Sequence, residues 1–85
     1  MAILDDVEQR IREVLAEHAR LELDLGQLDA QADLYDAGMT SRASVNVMLA
    51  LEGVFDVEFP DEMLRRDVFQ SIAAIEKAIQ SIAED

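Results

Sequence analysis

The chain has 85 residues, no cysteine and a formal net charge of −12. That length suits one domain, expected over 1–85, whose core is too small to enclose a deep active site as well. Without cysteine there is no disulfide, no thiolate metal site and no thiol nucleophile of the chain's own. The charge repels nucleic acid and anionic membrane surfaces and suits a partner with a basic face, while the 51% apolar share argues against disorder. No basic region followed by an apolar run opens the sequence, and no apolar stretch approaches the roughly 18 residues of a membrane span. A cytoplasmic protein is expected, with neither nucleic acid nor membrane as partner.

Residues 3–18 place Leu4, Val7, Ile11 and Val14/Leu15 at helical spacing, with Asp5, Asp6, Glu8, Arg10, Arg12, Glu13 and Glu17 on the other faces. The two early aspartates favour the positive end of the helix dipole. Residues 19–40 hold no period and are punctuated by Gly26 and Gly38. Leu21, Leu23, Leu28, Leu34 and Tyr35 are placed to pin this segment to a core. A loop of that length in a small domain points to function.

A second helix starts near Thr40 or Ser41, with Thr40 suited to be its N-cap. Its apolar stripe is read as Val45, Met48/Leu49 and Phe55, with Val47 and Leu51 beside it; Gly53 weakens the last turn without having to break it. Pro60 stops what precedes it, and Asp61 and Glu62 suit the start of a short third helix over 61–66. Val68, Ile72, Ile75, Ile79 and Ile82 predict a fourth, with Ser71 or Gln70 as cap. Strand signals are absent. The expected fold is all-α, a four-helix bundle of three longer helices and one short one.

Several sites fail on inspection. A Ser-His-Asp triad needs a histidine beside a serine, and the sole histidine, His18, falls near the end of an exposed, charged helix. Glu22, Asp24, Asp29, Asp33 and Asp36 suggest a cation loop, but an EF-hand needs glycine at its sixth position. Counting from Glu22, Gly26 falls fifth and Gln27 sixth. With three glycines in the chain no phosphate-binding loop can be built. No metal site and no catalytic residue is expected.

The informative stretch runs from Asp33 to Glu52. It delivers Ser41 to the first turn of an amphipathic helix, where free backbone N–H groups and the dipole favour an anion. An ordinary Thr-Ser cap explains the same residues. Asp-Leu-x-x-x-Gly-Met-Thr-Ser41, then Val45, Leu49, Ala50, Leu51, Glu52 and Phe55, then Val57-Glu58-Phe59-Pro60-Asp61-Glu62, resembles the acyl carrier protein family in order and over nearly the whole chain. The resemblance implies that Ser41 receives 4′-phosphopantetheine from coenzyme A and that the arm's thiol carries cargo as a thioester. The missing cysteine is thereby imported. Ser44, nearly a turn further on, is the second candidate for attachment.

This sequence departs from the family's usual Asp-Ser-Leu. Thr40 replaces the aspartate, Arg42 the apolar residue that meets partner enzymes, and Ala43 a later acid. Arg42 faces either a specialised partner, the arm's phosphate, or solvent. A narrower resemblance, carried by Ala32–Gly38, Ser41-x-Ala43-Ser44-Val45, Phe59-Pro60-Asp61 and Ser71-Ile72-x-Ala74-Ile75-Glu76, is to small stand-alone bacterial carriers charged with amino acids by relatives of aminoacyl-tRNA synthetases. It implies a monomeric carrier, not an enzyme. Its partners would be a phosphopantetheinyl transferase, an amino acid or acyl ligase, and a downstream acceptor enzyme. The second helix would be the docking face, with Arg42, Val45, Asn46, Met48, Glu52, Asp56 and Glu58 as contacts. A small amino acid is expected to stay outside, leaving Val45, Leu49, Ile72 and Ile75 closely packed. The alternatives are a fatty-acid or polyketide carrier and an unmodified acidic interaction module.

Overall fold

The computed structural model describes the backbone of residues 2–19 and 24–83 and the side chains of 7–19 and 24–83. The side chains of Leu4, Asp5 and Asp6, and residues Leu21, Glu22 and Leu23, lie outside that set. Three α-helices follow in order: α1 (Ala2–His18), α2 (Ser41–Phe55) and α3 (Ile72–Ala83). Two single 3₁₀ turns, Asp61–Met63 and Arg66–Phe69, join α2 to α3. No strand occurs among the described residues.

One core cluster unites these elements. Val7, Ile11, Val14 and Leu15 of α1 meet Val47 and Leu51 of α2 and Ile72, Ile75 and Ile79 of α3. Phe59 and Phe69 close one side, their ring centroids 5.3 Å apart at a tilt of 58°, an edge-biased geometry that aromatic pairs favour. The loop contributes Leu25, Leu34 and Met39, all buried, with Leu28 and Tyr35 packed alongside.

The core face of α2 differs from the stripe expected of it. Val45 and Leu49 are 51% and 55% exposed, whereas Val47 and Leu51 are 1% and 0%. Ala43, Val47, Leu51 and Phe55 follow one another at i,i+4 and form the inward line. Val45 and Leu49 form a second i,i+4 line, and two residues of helix rotate it about 200° from the first. Both lines are apolar, so periodicity finds the helix without choosing its inward face. Ile72 and Ile75 are closely packed as expected; Val45 and Leu49 are not.

The bundle of three longer helices with a short element between the last two is as expected, but the short element is shorter and tighter than the helix expected over 61–66. Asp61–Met63 is one 3₁₀ turn held by Met63 N–H to Pro60 O (2.9 Å) and Leu64 N–H to Asp61 O (3.0 Å). None of its residues is buried, and an unburied segment this short does not repay the cost of an α-helical nucleus. Val68, grouped by spacing with the last helix, lies in the second 3₁₀ turn. That helix begins at Ile72, where the Ser71 hydroxyl accepts from Ala74 N–H at 3.1 Å; Gln70 serves elsewhere.

Two charged side chains hold backbone rather than solvent. Arg12 has 13% of its side chain exposed. It donates to Leu25 O (2.5 Å) and Leu28 O (2.7 Å) while Glu8 Oε2 accepts from it at 2.7 Å. The guanidinium therefore clamps the loop to α1. After α2, Glu52 Oε2 accepts from Phe59 N–H at 2.9 Å, and Asp56 takes the left-handed conformation (φ 54°, ψ 49°) that turns the chain back. Arg12→Ala should destabilise the domain by about 2–3 kcal/mol in urea unfolding, because two loop carbonyls lose a charged donor. Exposed Arg10→Ala should cost within about 0.5 kcal/mol.

Candidate functional site

Ser41 opens α2, and the loop before it fixes where that opening stands. Asp24, Asp29 and Asp33 each accept from the backbone N–H two residues ahead, at 2.8–2.9 Å, so these acids fold the loop into successive turns. Two backbone bonds then sew the loop to the start of α3: Leu34 N–H to Gln70 O (2.7 Å) and Ala73 N–H to Ala30 O (2.9 Å). Gln70 Nε2 adds a third, to Asp33 Oδ2 at 2.9 Å. Gly38, at φ 119°, makes the last reversal, in a region that only glycine enters freely. Met39 N–H returns to Leu34 O at 3.0 Å.

Thr40 is the N-cap, extended at φ −86° and ψ 164°, and its hydroxyl accepts from Ala43 N–H at 3.0 Å. Ser44 N–H is taken by Thr40 O at 3.0 Å. The amides of Ser41 and Arg42 have no intrahelical acceptor, as at any helix start. Ser41 is exposed. Ser44 is half-buried, and its hydroxyl donates to Ser41 O at 2.7 Å. Of the two serines, Ser41 presents the accessible hydroxyl.

Ser41 stands at an open groove of about 380 Å³, within the range of roughly 300–1,000 Å³ typical of small-molecule sites. Val45, Met48, Leu64 and Phe69 give it an apolar side; Tyr35, Ser41, Ser44, Arg65 and Arg66 give the polar side. Arg66 lies over the Tyr35 ring, 4.1 Å from its centroid. Arg65 pairs with Asp67 at 3.3 Å. Sequence reading missed Tyr35, Leu64, Arg65, Arg66 and Phe69 as site residues. The signal available was the Arg65-Arg66 pair in a chain with 19 acids and only 7 lysines and arginines.

The expected attachment residue Ser41 and the expected docking residues Val45 and Met48 meet at the groove. Arg42 and Asn46 are exposed on the same helix. Glu52, Asp56 and Glu58 sit towards its far end; Glu52 is about 16 Å from Ser41 along the axis. Glu58 and Asp56 are exposed, whereas Glu52 is half-buried and bonded inward. His18 is exposed at the end of α1. Among the described residues no group of three His, Cys, Asp or Glu side chains could hold a metal, and no helix is long and apolar enough to cross a membrane.

Three helices joined through 3₁₀ turns, with an exposed serine opening the second, make the architecture of a carrier domain. Residues 9–79 match the family described as the phosphopantetheine attachment site, and the chain belongs to that family of carriers, which bear 4′-phosphopantetheine and do not themselves catalyse. It is 46% identical over 74 residues to an aminoacyl carrier protein of Agrobacterium fabrum, covering 87% of this chain and 89% of the relative. It also resembles the Agrobacterium tumefaciens carrier protein in two crystal structures with an engineered Bradyrhizobium japonicum glycine:[carrier protein] ligase. In the complex with ATP the TM-score is 0.86 at 45% identity, covering 89% of this chain and 99% of that one. In the complex with AMP it is 0.83 at 45% identity, covering 86% and 97%.

The residues present fit the cofactor. The exposed Ser41 hydroxyl accommodates a phosphodiester, the free first-turn amides and the arginines match its charge, and the groove offers apolar surface to the arm's body. The Asp33 carboxyl, at the root of the loop, is held below its ordinary pKa, first by the hydrogen bond from Gln70 and further by the Asp36 and Tyr35 amides and the Arg66 charge. A depressed folded-state pKa gives stability that is present above the unfolded carboxylate range and is lost as pH falls through the folded value. Gln70→Ala should raise the Asp33 pKa in a ¹³C-detected NMR titration and shrink the acid-dependent part of the stability. An unchanged titration would show that the Gln70 bond does not hold the loop in solution.

Proposed function

We propose that the chain is a single-domain, cytoplasmic aminoacyl carrier whose arm is attached at Ser41. The observation that carries this is the exposed Ser41 hydroxyl at the start of α2, opening onto the groove. The likeness to a named aminoacyl carrier protein at 46% identity, and to a carrier bound by a glycine:[carrier protein] ligase, supports a small amino acid as cargo. When bound, the arm supplies a thiol that holds cargo as a thioester.

The chain's own residues do the rest. Ser41 Oγ forms the bond to phosphorus as the diphosphate of coenzyme A breaks, adenosine 3′,5′-bisphosphate leaves, and the serine proton passes to a base of the transferase. The capped first turn, fixed by Thr40, holds Ser41 out of the core and within a transferase's reach. Ile72, Ile75 and Leu51, all 0% exposed, keep the core closed behind the groove. A small amino acid gains little from burial at roughly 25 cal/mol per Å² of apolar surface, so the cargo is left free for a ligase that uses ATP and, afterwards, for an acceptor enzyme.

Val45 and Leu49 expose an apolar line on α2, with Asn46 on the adjoining exposed face and Asp56 and Glu58 past the helix end. This is the proposed docking face. Glu52 is removed from it, because its carboxylate is spent on Phe59 N–H. Leu49→Arg should weaken the ligase complex about tenfold or more, the scale of an interface hot spot, yet change stability by no more than about 0.5 kcal/mol. Affinity should also fall with added salt, since a chain at −12 is steered over a range that screening cuts to about 8 Å at physiological ionic strength. A flat salt series with a silent Leu49→Arg would remove this face from docking.

Intact mass after treatment with a phosphopantetheinyl transferase and coenzyme A tests the attachment. One arm per chain is expected, retained by Ser44→Ala and absent from a folded Ser41→Ala. Holo protein offered ATP with glycine or with a fatty acid, each with its ligase, should gain the aminoacyl mass. Fatty acylation alone would defeat the cargo assignment and leave the carrier intact.

A further inference from the structure

We propose that Arg66, braced against the ring of Tyr35, holds the phosphodiester of an arm on Ser41 and thereby directs that arm along the Val45–Met48–Leu64–Phe69 side of the groove. This rests on Ser41 being the attachment point. Arg66 and Ser41 line the same groove, although they come from the second 3₁₀ turn and from α2. The turn that carries Arg66 is anchored by the buried side chains of Val68 and Phe69, so the guanidinium is presented from fixed backbone.

Two other guanidinia are already engaged, while Arg42, next to Ser41, is exposed on α2. Arg12 is spent on Glu8, Leu25 O and Leu28 O, and Arg65 faces Asp67 at 3.3 Å. Arg66 makes a cation–π contact at 4.1 Å, and no ion pair of its own lies within 4.0 Å among the described residues. The acid whose charge it feels, Asp33, is already satisfied: Oδ1 accepts from the Tyr35 and Asp36 amides and Oδ2 from Gln70. The guanidinium carbon sits 4.1 Å from the Tyr35 ring centroid, and its planar fork of N–H donors suits two phosphate oxygens at once. A phosphodiester keeps one negative charge, which the surrounding chain, at −12, repels. A placed cation beside Ser41 offsets that repulsion locally. With the phosphate held towards Arg66, the arm's apolar methyls and chain start out over Leu64 and Phe69 rather than into solvent.

Arg66 is thus a positioning residue, and NMR of the apo and holo full-length chain tests it. Attachment of the arm, verified by mass, should shift the Arg66 Nε–H and Tyr35 ring signals, and about 0.5 M salt should partly reverse those shifts, given a screening length of only a few Å. The arm's methyl groups should show nuclear Overhauser contacts to Phe69 and Leu64. In Arg66→Gln and in Tyr35→Leu those contacts should be lost and the ³¹P resonance should move, with the core's methyl spectrum unchanged. Arg66→Lys should restore them in part, which loss of mere packing would not predict. Silent Arg66 signals in the wild-type holo protein overturn the proposal, as do arm contacts that survive Arg66→Gln. If that variant does not fold, the wild-type apo and holo comparison alone decides. A wild-type chain that gains no arm mass overturns both readings, whereas a modified chain with silent Arg66 signals overturns this one alone.

Discussion

Everything at the working end depends on sewing the loop of residues 24–40 to the start of α3. Leu34 N–H on Gln70 O and Ala73 N–H on Ala30 O place a single pair of strandless segments side by side, and Leu34, 0% exposed, is driven into the core beneath them. Holding so long a loop in one shape costs conformational entropy at roughly 1–2 kcal/mol per residue. Burial of Leu25, Leu34 and Met39, the aspartate turns and the Arg12 clamp together offset it. Ser41 inherits its position from that stitching: Met39 and Thr40 follow directly, and α2 starts where they leave it.

The second constraint is the double use of α2. One line of side chains completes the core and the other is left outside, with the groove between the helix and the 3₁₀ turns. Such a helix must not roll, and the two ends prevent it. Thr40 fixes the first turn through Ala43 N–H, and Glu52 with the left-handed Asp56 fixes the last. A left-handed aspartate is uncommon and strained, and here it sends the chain straight to Phe59, whose burial against Phe69 repays it.

Much of this was legible in the sequence, and the failures have a common physical form. The three long helices, the Thr40 and Ser71 caps and the role of Leu34 follow from spacing and side-chain chemistry alone. The inward face of α2 is not legible because Val45 and Leu49 repeat as regularly as Val47 and Leu51; only the neighbours decide which line is covered. Met39 gave no signal, since it belongs to no period. Arg12 reads as a solvated charge, as most arginines on such a helix are, because the two loop carbonyls it holds lie 13 and 16 residues away. Arg66 and Tyr35 meet across 31 positions of chain. Local chemistry is written locally, while these pairs exist only after the loop has closed.

The separation of the two lines on α2 has an evolutionary consequence. Ala43, Val47, Leu51 and Phe55 answer to the core, where loss of a large side chain costs about 2–5 kcal/mol. Val45 and Leu49 answer to nothing within the core, and changes there are nearly free. Inheritance can therefore work on the two lines independently, conserving one while the other drifts. A lineage of such chains can acquire new associates by exchanging two exposed side chains, with its folding left as it was.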